Sequence, residues 1–404
     1  CVVCHSGRSQ PLATQTGAYR DPPFQELAIG CENCHGPGAL HVTERSGRVP
    51  PPANVDRSIV NPARLTPWLA DNICMYCHQG ATTRVLQQGK TYDDFRPGTP
   101  LDETMAIFAP MLNDSKPASP LLEHYTLMTL SECYRGARGR MGCTTCHDPH
   151  TEPDRSAAPA YFRKKCLNCH TDKSCGLALA LRGANDCAGC HMLKRNVDKI
   201  AHSVLTDHRI VRRPGQVNPN AQMPKSTPAS PDLVHVNTVP GANRELAPLT
   251  ILQAYRELAA SQPLYKVRYD ELLDQLAKTN PNHPLVLSGL AYRKLASPSE
   301  TSKVEASQFL AGAIEAGSTS PQDFEALAGL LAELGRITEA TVMLERGIGV
   351  DPSYKRSYKA LTLLYTAQSR YEDALSTMHR YLALFPEDSF MRTLLSKVEA
   401  VPRR

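Results

Sequence analysis

The chain has 404 residues with 45 basic and 40 acidic side chains, a formal charge of +5, and no polybasic run of the kind that grips nucleic acid or a lipid surface. No stretch reaches eighteen consecutive apolar residues, which excludes a transmembrane helix in it, and the length suits more than one domain. Fourteen Cys beside fourteen His point to metal or cofactor work rather than a disulfide scaffold.

All fourteen Cys lie within residues 1–190, and twelve of them fall into six copies of Cys-x-x-Cys-His. In chain order these are Cys1/Cys4/His5, Cys31/Cys34/His35, Cys74/Cys77/His78, Cys143/Cys146/His147, Cys166/Cys169/His170 and Cys187/Cys190/His191. This is the attachment signature of c-type haem (heme c): two thiols reach the two vinyl groups on one porphyrin edge, and the following imidazole lies beneath the iron as proximal ligand. Zinc is the alternative for paired CxxC motifs, but two pairs would saturate one ion and leave each following His without a role. Six haems are therefore expected over 191 residues, about 32 residues for each, too few to enclose a porphyrin. The porphyrins should pack on one another and form the core, with few regular elements before residue 212. Motif starts are 30, 43, 69, 23 and 21 residues apart, so the last three haems should group tightly and the 69-residue gap should hold an excursion.

The other His residues of this segment are His41, His124, His150, His202 and His208, all candidates for the sixth coordination position. His41 follows His35 across Gly36-Pro37-Gly38, and His150 follows His147 through Asp148-Pro149; such short turns aim each at a neighbouring haem rather than its own. Five candidates do not cover six irons, so His235, Met128 or Met141, a residue of another chain or an open position completes the set. Cys133 and Cys175 belong to no motif, and a disulfide between them or two free thiols are both consistent with the sequence.

Residues 212–248 carry seven prolines among polar residues and read as an extended linker with little helix or sheet of its own. Beyond it, Glu305-Ala306, Glu339-Ala340 and Asp373-Ala374 recur every 34 residues, the tetratricopeptide period. The frame ending at Pro352 places Phe324, Leu327, Ala328, Leu331, Ala340, Leu344 and Gly347 at the expected large and small positions, and the next places Tyr358, Leu361, Tyr365, Ala374, Met378 and Tyr381. Copies near 249–284 and 285–318 are degenerate, with Arg293 and Lys294 where Leu and a small residue are preferred, and 387–404 reads as a capping helix. The chain is thus expected to be mainly α: an irregular haem-packed domain over 1–211, the linker, and an α-solenoid of helix pairs over 249–404.

On GCENCHGPGALHV at 30–42, MGCTTCHDPH at 141–150, and CAGCHMLKR with AHSVLTDHRI over 187–210, the chain resembles the multihaem c-type cytochromes with C-terminal tetratricopeptide repeats. Its haem part is similar to the superfamily of the pentahaem nitrite reductases and hydroxylamine oxidoreductases. The resemblance implies that the His after CHGPG and the His of CHDPH, here His41 and His150, ligate neighbouring haems. Relatives usually have a further stretch ahead of the position matching Cys1, so an N-terminal part is expected to be missing. The CxxCK catalytic haem motif of the nitrite reductases does not occur.

The function expected is electron relay outside the cytoplasm, periplasmic or extracellular, by an electron carrier more than an enzyme, with the repeat domain docking redox protein partners or identical subunits. Six ferric haems, each about −1 through its propionates, would cancel the +5 charge and with it any pull toward nucleic acid. Two rivals remain: a self-assembling filament subunit in which one chain completes an iron of the next, and a reductase of a small oxyanion at an open iron.

Overall fold

The computed structural model describes residues 2–11, 19–47, 56–79, 83–110, 124–182, 185–196, 204–213, 233–238, 245–259, 263–297 and 299–400. Cys1 and His202 lie outside these residues, as does most of the expected linker. The chain divides into two compact units, one made of residues 3–8 and 26–265, the other mainly of residues 266–404 together with 9–25. The architecture is mostly helical with little sheet, as the sequence leads one to expect.

In the first unit the helix Pro67–His78 begins where Thr66 Oγ1 accepts the Leu69 amide at 3.4 Å and Pro67 occupies the first turn, where its missing N–H costs nothing. Buried Asn72 accepts the Leu101 amide at 2.8 Å and donates to Trp68 O at 2.6 Å, which ties this helix to the chain beyond it. A three-stranded antiparallel sheet follows, with Met105–Pro110 between Thr83–Leu86 and Leu233–His235. The central strand is apolar at every position from Met105 to Ala109, as a strand buried on both faces must be.

Three sequence expectations need correction. Porphyrin was expected to be the core, yet the excursion between His78 and Cys143 builds a polypeptide core in which Leu101, Met105, Ile107, Leu127 and Leu130 pack with Met75 of the preceding helix, each at most 2% exposed. The gap is long enough to fold back on the helix that carries the third motif, so its apolar residues find one another. Second, the supposed linker contributes a strand: Leu233 and Val234 are fully buried, and Asn237 accepts the Ile107 amide at 2.9 Å while donating to Met105 O at 2.8 Å. Backbone pairing with an exposed strand edge outweighs the flanking prolines, which lie outside it. Third, the helix Pro248–Ala259 belongs to the first unit, with Thr250 Oγ1 donating to Gln87 Oε1 at 3.1 Å, so the boundary falls near residue 265 rather than at 249. Helical periodicity reports an apolar face but not what covers it.

The second unit stacks helix pairs: Pro284–Leu295 with Glu300–Glu315, Pro321–Glu333 with Ile337–Val350, and Lys355–Ala367 with Tyr371–Leu384, closed by Ser389–Glu399. Fully buried Ala306, Ala340 and Ala374 let the paired helices approach, and Gly347 does the same because a Cβ there would lie 2.9 Å from Phe324 Cβ. The degenerate copy still forms its pair. Arg293 meets Asp274 at 2.6 Å and Lys294 meets Glu305, so both charges lie on the surface while Gly289 packs under Tyr269 and Leu273.

Candidate haem sites

A single helical turn brings the two thiols and the imidazole of a motif to one side, because residues i, i+3 and i+4 share a face. In the third motif these are Cys74, Cys77 and His78 on the last turn of Pro67–His78. In the sixth, Cys187, Cys190 and His191 lie on the short helix Cys187–His191, which Asp186 caps by accepting the Gly189 amide at 2.9 Å. Elsewhere the turn is held by its own backbone: the amides of His35, His147 and His170 donate to the carbonyls of Cys31, Cys143 and Cys166 at 2.9–3.0 Å.

The attachment thiols differ in exposure. Cys31, Cys169 and Cys190 are exposed, whereas the other described attachment cysteines are half-buried. The second, fifth and sixth motifs stand on short turns, whereas the third lies on the helix Pro67–His78 beside the excursion beyond it. In the sixth motif Cys190 is exposed and Cys187 half-buried.

Three of the motif imidazoles face a second imidazole from a distant part of the chain. His35 and His150 have ring centroids 6.1 Å apart and planes within 15°. His78 and His124 are 5.8 Å apart at 81°, and His147 and His208 are 6.2 Å apart at 32°. A metal–imidazole bond of about 2 Å on each side of one iron puts the two ring centres about 6 Å apart, whatever the angle between their planes. The residues therefore fit an iron held between two imidazoles at each of these sites.

Each partner ring is held by its own local structure. His150 lies within the turn that Thr151 closes by donating its amide to Asp148 O at 3.2 Å, and its own amide donates to Asp148 Oδ1 at 3.0 Å. His124 opens the helix His124–Thr129, which Gln79, the residue after His78, ties back by donating to Thr126 Oγ1 at 3.0 Å. His208 follows the hairpin of Lys194–Asn196 with Val204–Thr206, and its ring also lies 4.7 Å from that of His124.

Protonation states suit ligation, which needs neutral imidazole. Burial, with His124 next, pushes His208 down to about 4, and burial with His124 and His78 also lowers His147. The Nδ1 atoms of His35, His191 and His208 donate to the carbonyls of Val60, Val211 and Thr206 at 2.8, 2.6 and 2.8 Å, leaving Nε2 as the metal-facing nitrogen. Val60 and Val211 also return their amides to His35 O and His191 O at 3.0 Å. The sequence carried a signal for this bracket that motif reading passed over: Asp-x-x-Ile-Val at 56–60 recurs at 207–211.

Thiols of different motifs touch. Cys77 meets Cys4, and Cys143 meets Cys74. Cys166 lies against Cys187. These contacts bring the third motif against the first and the fourth, and the fifth against the sixth. Around the second, fifth and sixth motifs, Leu27, Ile29, Leu40, Val42, Leu177, Leu181 and Leu193 are all at least 45% exposed, apolar surface of the kind a porphyrin covers.

The remaining candidates fall differently. His41 bonds Asp56 through Nδ1 at 2.8 Å, and His235 packs 5.7 Å from Phe108 in the sheet. Met128 and Met141 are buried in the polypeptide core, which accounts for them without an iron. Cys133 and Cys175 are free thiols, and Cys133 neighbours Cys146 and Cys169. Among the described residues no helix is long and apolar enough to cross a membrane.

Comparison with known proteins adds one local match and one set of fold likenesses. The family description "Doubled CXXCH motif" matches residues 137–175, which contain the fourth and fifth motifs. No curated protein matches the chain. Among solved structures, the TPR protein YrrB is 14% identical over 38% of this chain and 77% of its own, with a TM-score of 0.31. A thermophilic TPR protein of Thermus thermophilus is 18% identical over 38% and 82% with a TM-score of 0.30, and the Arabidopsis OM64 TPR domain 15% over 29% and 93% with 0.25. The repeat architecture itself stands on the helix pairs described above. The doubled motif is a multihaem c-type cytochrome signature and indicates covalent haem c binding, and proteins that carry it are generally extracytoplasmic.

Proposed function

We propose that this chain is an extracytoplasmic electron-transfer cytochrome that binds six haems through Cys1/Cys4, Cys31/Cys34, Cys74/Cys77, Cys143/Cys146, Cys166/Cys169 and Cys187/Cys190, and that its helical repeats dock a redox partner or a further copy of the chain. When bound, the haems supply reversible one-electron exchange. The chain's own residues tether, ligate and insulate. With haem bound, His35 and His150, His78 and His124, and His147 and His208 would each hold one iron between them, which favours fast electron exchange over substrate binding there. His5, His170 and His191 are the proximal ligands of the other three, and His41, His202 and His235 are the candidates for their distal positions.

The observation that carries this reading is the meeting of those three imidazole pairs at about 6 Å between parts of the chain far apart in sequence. The links between motifs support a contiguous relay: His150 follows the fourth motif and serves the second, and His124 and His208 touch across the third and fourth. The test is a rapid-mixing experiment on the oxidised protein with less than one reducing equivalent per chain. Several haem signals bleaching together within milliseconds is the expected result; an electron that stays on the first haem reduced would overturn the relay.

A further inference from the structure

We infer that Asp56 is a positioning residue for His41, fixing this imidazole through its Nδ1 and biasing the iron it serves toward the oxidised state; the inference rests on the proposed role of His41 as an axial ligand.

His41 sits on the helix Ala39–Ser46, and Arg45, four residues on, shares its face. Both reach one carboxylate. Asp56 Oδ2 accepts His41 Nδ1 at 2.8 Å together with Arg45 Nε at 3.0 Å and Nη2 at 2.8 Å, while Oδ1 accepts the amide of Ser58 at 3.0 Å and its hydroxyl at 2.5 Å. With five donors on two oxygens the carboxylate has one orientation, and so has the ring it holds. Because Nδ1 donates, Nε2 is the nitrogen left to face a metal.

The charge on the acceptor distinguishes His41 from His35, His191 and His208. His35, His191 and His208 donate Nδ1–H to neutral backbone carbonyls, and the Nδ1 of His150 lies 3.6 Å from Asp148, beyond hydrogen-bond length. A full negative charge behind an imidazole raises its basicity as a ligand and stabilises the more positive iron. Arg45 opposes this by drawing the same carboxylate. The iron served by His41 should therefore have a lower potential than it would with a carbonyl acceptor, with Asp56 and Arg45 acting in opposite directions.

The experiment compares potentiometric titrations and EPR spectra of the full-length, haem-loaded protein with those of Asp56→Asn, Arg45→Gln and His41→Ala. Asp56→Asn is expected to raise one couple by a tenfold change in its oxidised-to-reduced ratio, about 59 mV, and Arg45→Gln to lower the same couple. Both should alter the g-values of one low-spin signal, the signal that His41→Ala removes. A charge acting only through space would move several couples and leave g-values alone. If His41→Ala removes a signal but neither of the other variants moves it, the role of Asp56 falls and that of His41 stands. If His41→Ala leaves every low-spin signal in place, the ligand assignment fails and the inference with it. Should Asp56→Asn mature poorly, Arg45→Gln decides: a shift confined to one couple together with altered g-values of the signal that His41→Ala removes supports the inference, and a shift of several couples with unchanged g-values overturns it.

Discussion

His35 and His150 face each other with ring planes within 15° and centres 6.1 Å apart, although 115 residues separate them in sequence and each belongs to the surroundings of a different motif. On the proposed assignment, a ligand from beside the fourth motif would serve the second and tie the two haem sites together, so that loss of either would disturb the other. His208, from beyond the sixth motif, would serve the fourth in the same way.

Replacement of one such partner tests this directly. His150→Ala should convert one low-spin iron to high spin in the ferric EPR spectrum while the number of haems stays the same, and His124→Ala and His208→Ala should each do so at a different iron. A spectrum of His150→Ala identical to that of the parent would remove the assignment.

Asp71 predicts a pH dependence. Its Oδ1 accepts the Cys143 amide at 2.7 Å, and burial pushes its carboxyl up to about 6. A carboxyl whose pKa is raised in the folded state contributes stability that is complete below about pH 4 and is lost as pH rises through about 6, up to about 3 kcal/mol for a shift of this size. Asp71→Asn keeps the acceptor and cannot ionise, so its denaturant midpoint should stay flat across that window while the parent's falls.

Asn237 joins the supposed linker to the sheet by two hydrogen bonds within a fully buried setting. Asn237→Ala leaves the Ile107 amide and the Met105 carbonyl without partners and should cost about 2–3 kcal/mol in chemical denaturation. An effect under about half a kcal/mol would mean that the strand Leu233–His235 is dispensable.

In the repeat unit, Gly335 and Ser369 hold equivalent places one repeat apart, both with left-handed backbone, at φ +76° and +61°. Each is followed by an Arg whose amide returns to a carbonyl of the preceding helix, Leu331 or Tyr365. Only the first has the residue that this conformation favours. Ser369→Gly should stabilise the unit by about 0.5–1 kcal/mol, raising its melting temperature by roughly 2–4 °C.

Legibility in the sequence followed the range of the physical rule behind each reading. The motifs were plain because thioether attachment demands adjacent residues, and the later repeats were plain because Ala340 and Ala374 must be small where two helices touch. How far each thiol is covered was not legible: Cys77 and Cys190 hold the same place in the same motif, and only the folded surroundings make one half-buried and the other exposed. The partner rings were legible as candidates but not as pairs, since nothing local to His150 names His35. The strand Met105–Pro110 left a trace, five apolar residues before a proline, that length alone cannot tell from a buried helix segment. Asp56 and the carbonyls of Val60 and Val211 were missed because a second layer around a ligand is defined only once the chain has folded.

The most direct measurement of the central claim is the intact mass of the purified chain under denaturing conditions, where only covalently attached groups remain. The expected mass exceeds that of the polypeptide by six haems. A mass with fewer haems would contradict the assignment of the motifs left bare, and a mass equal to that of the polypeptide would contradict the whole account.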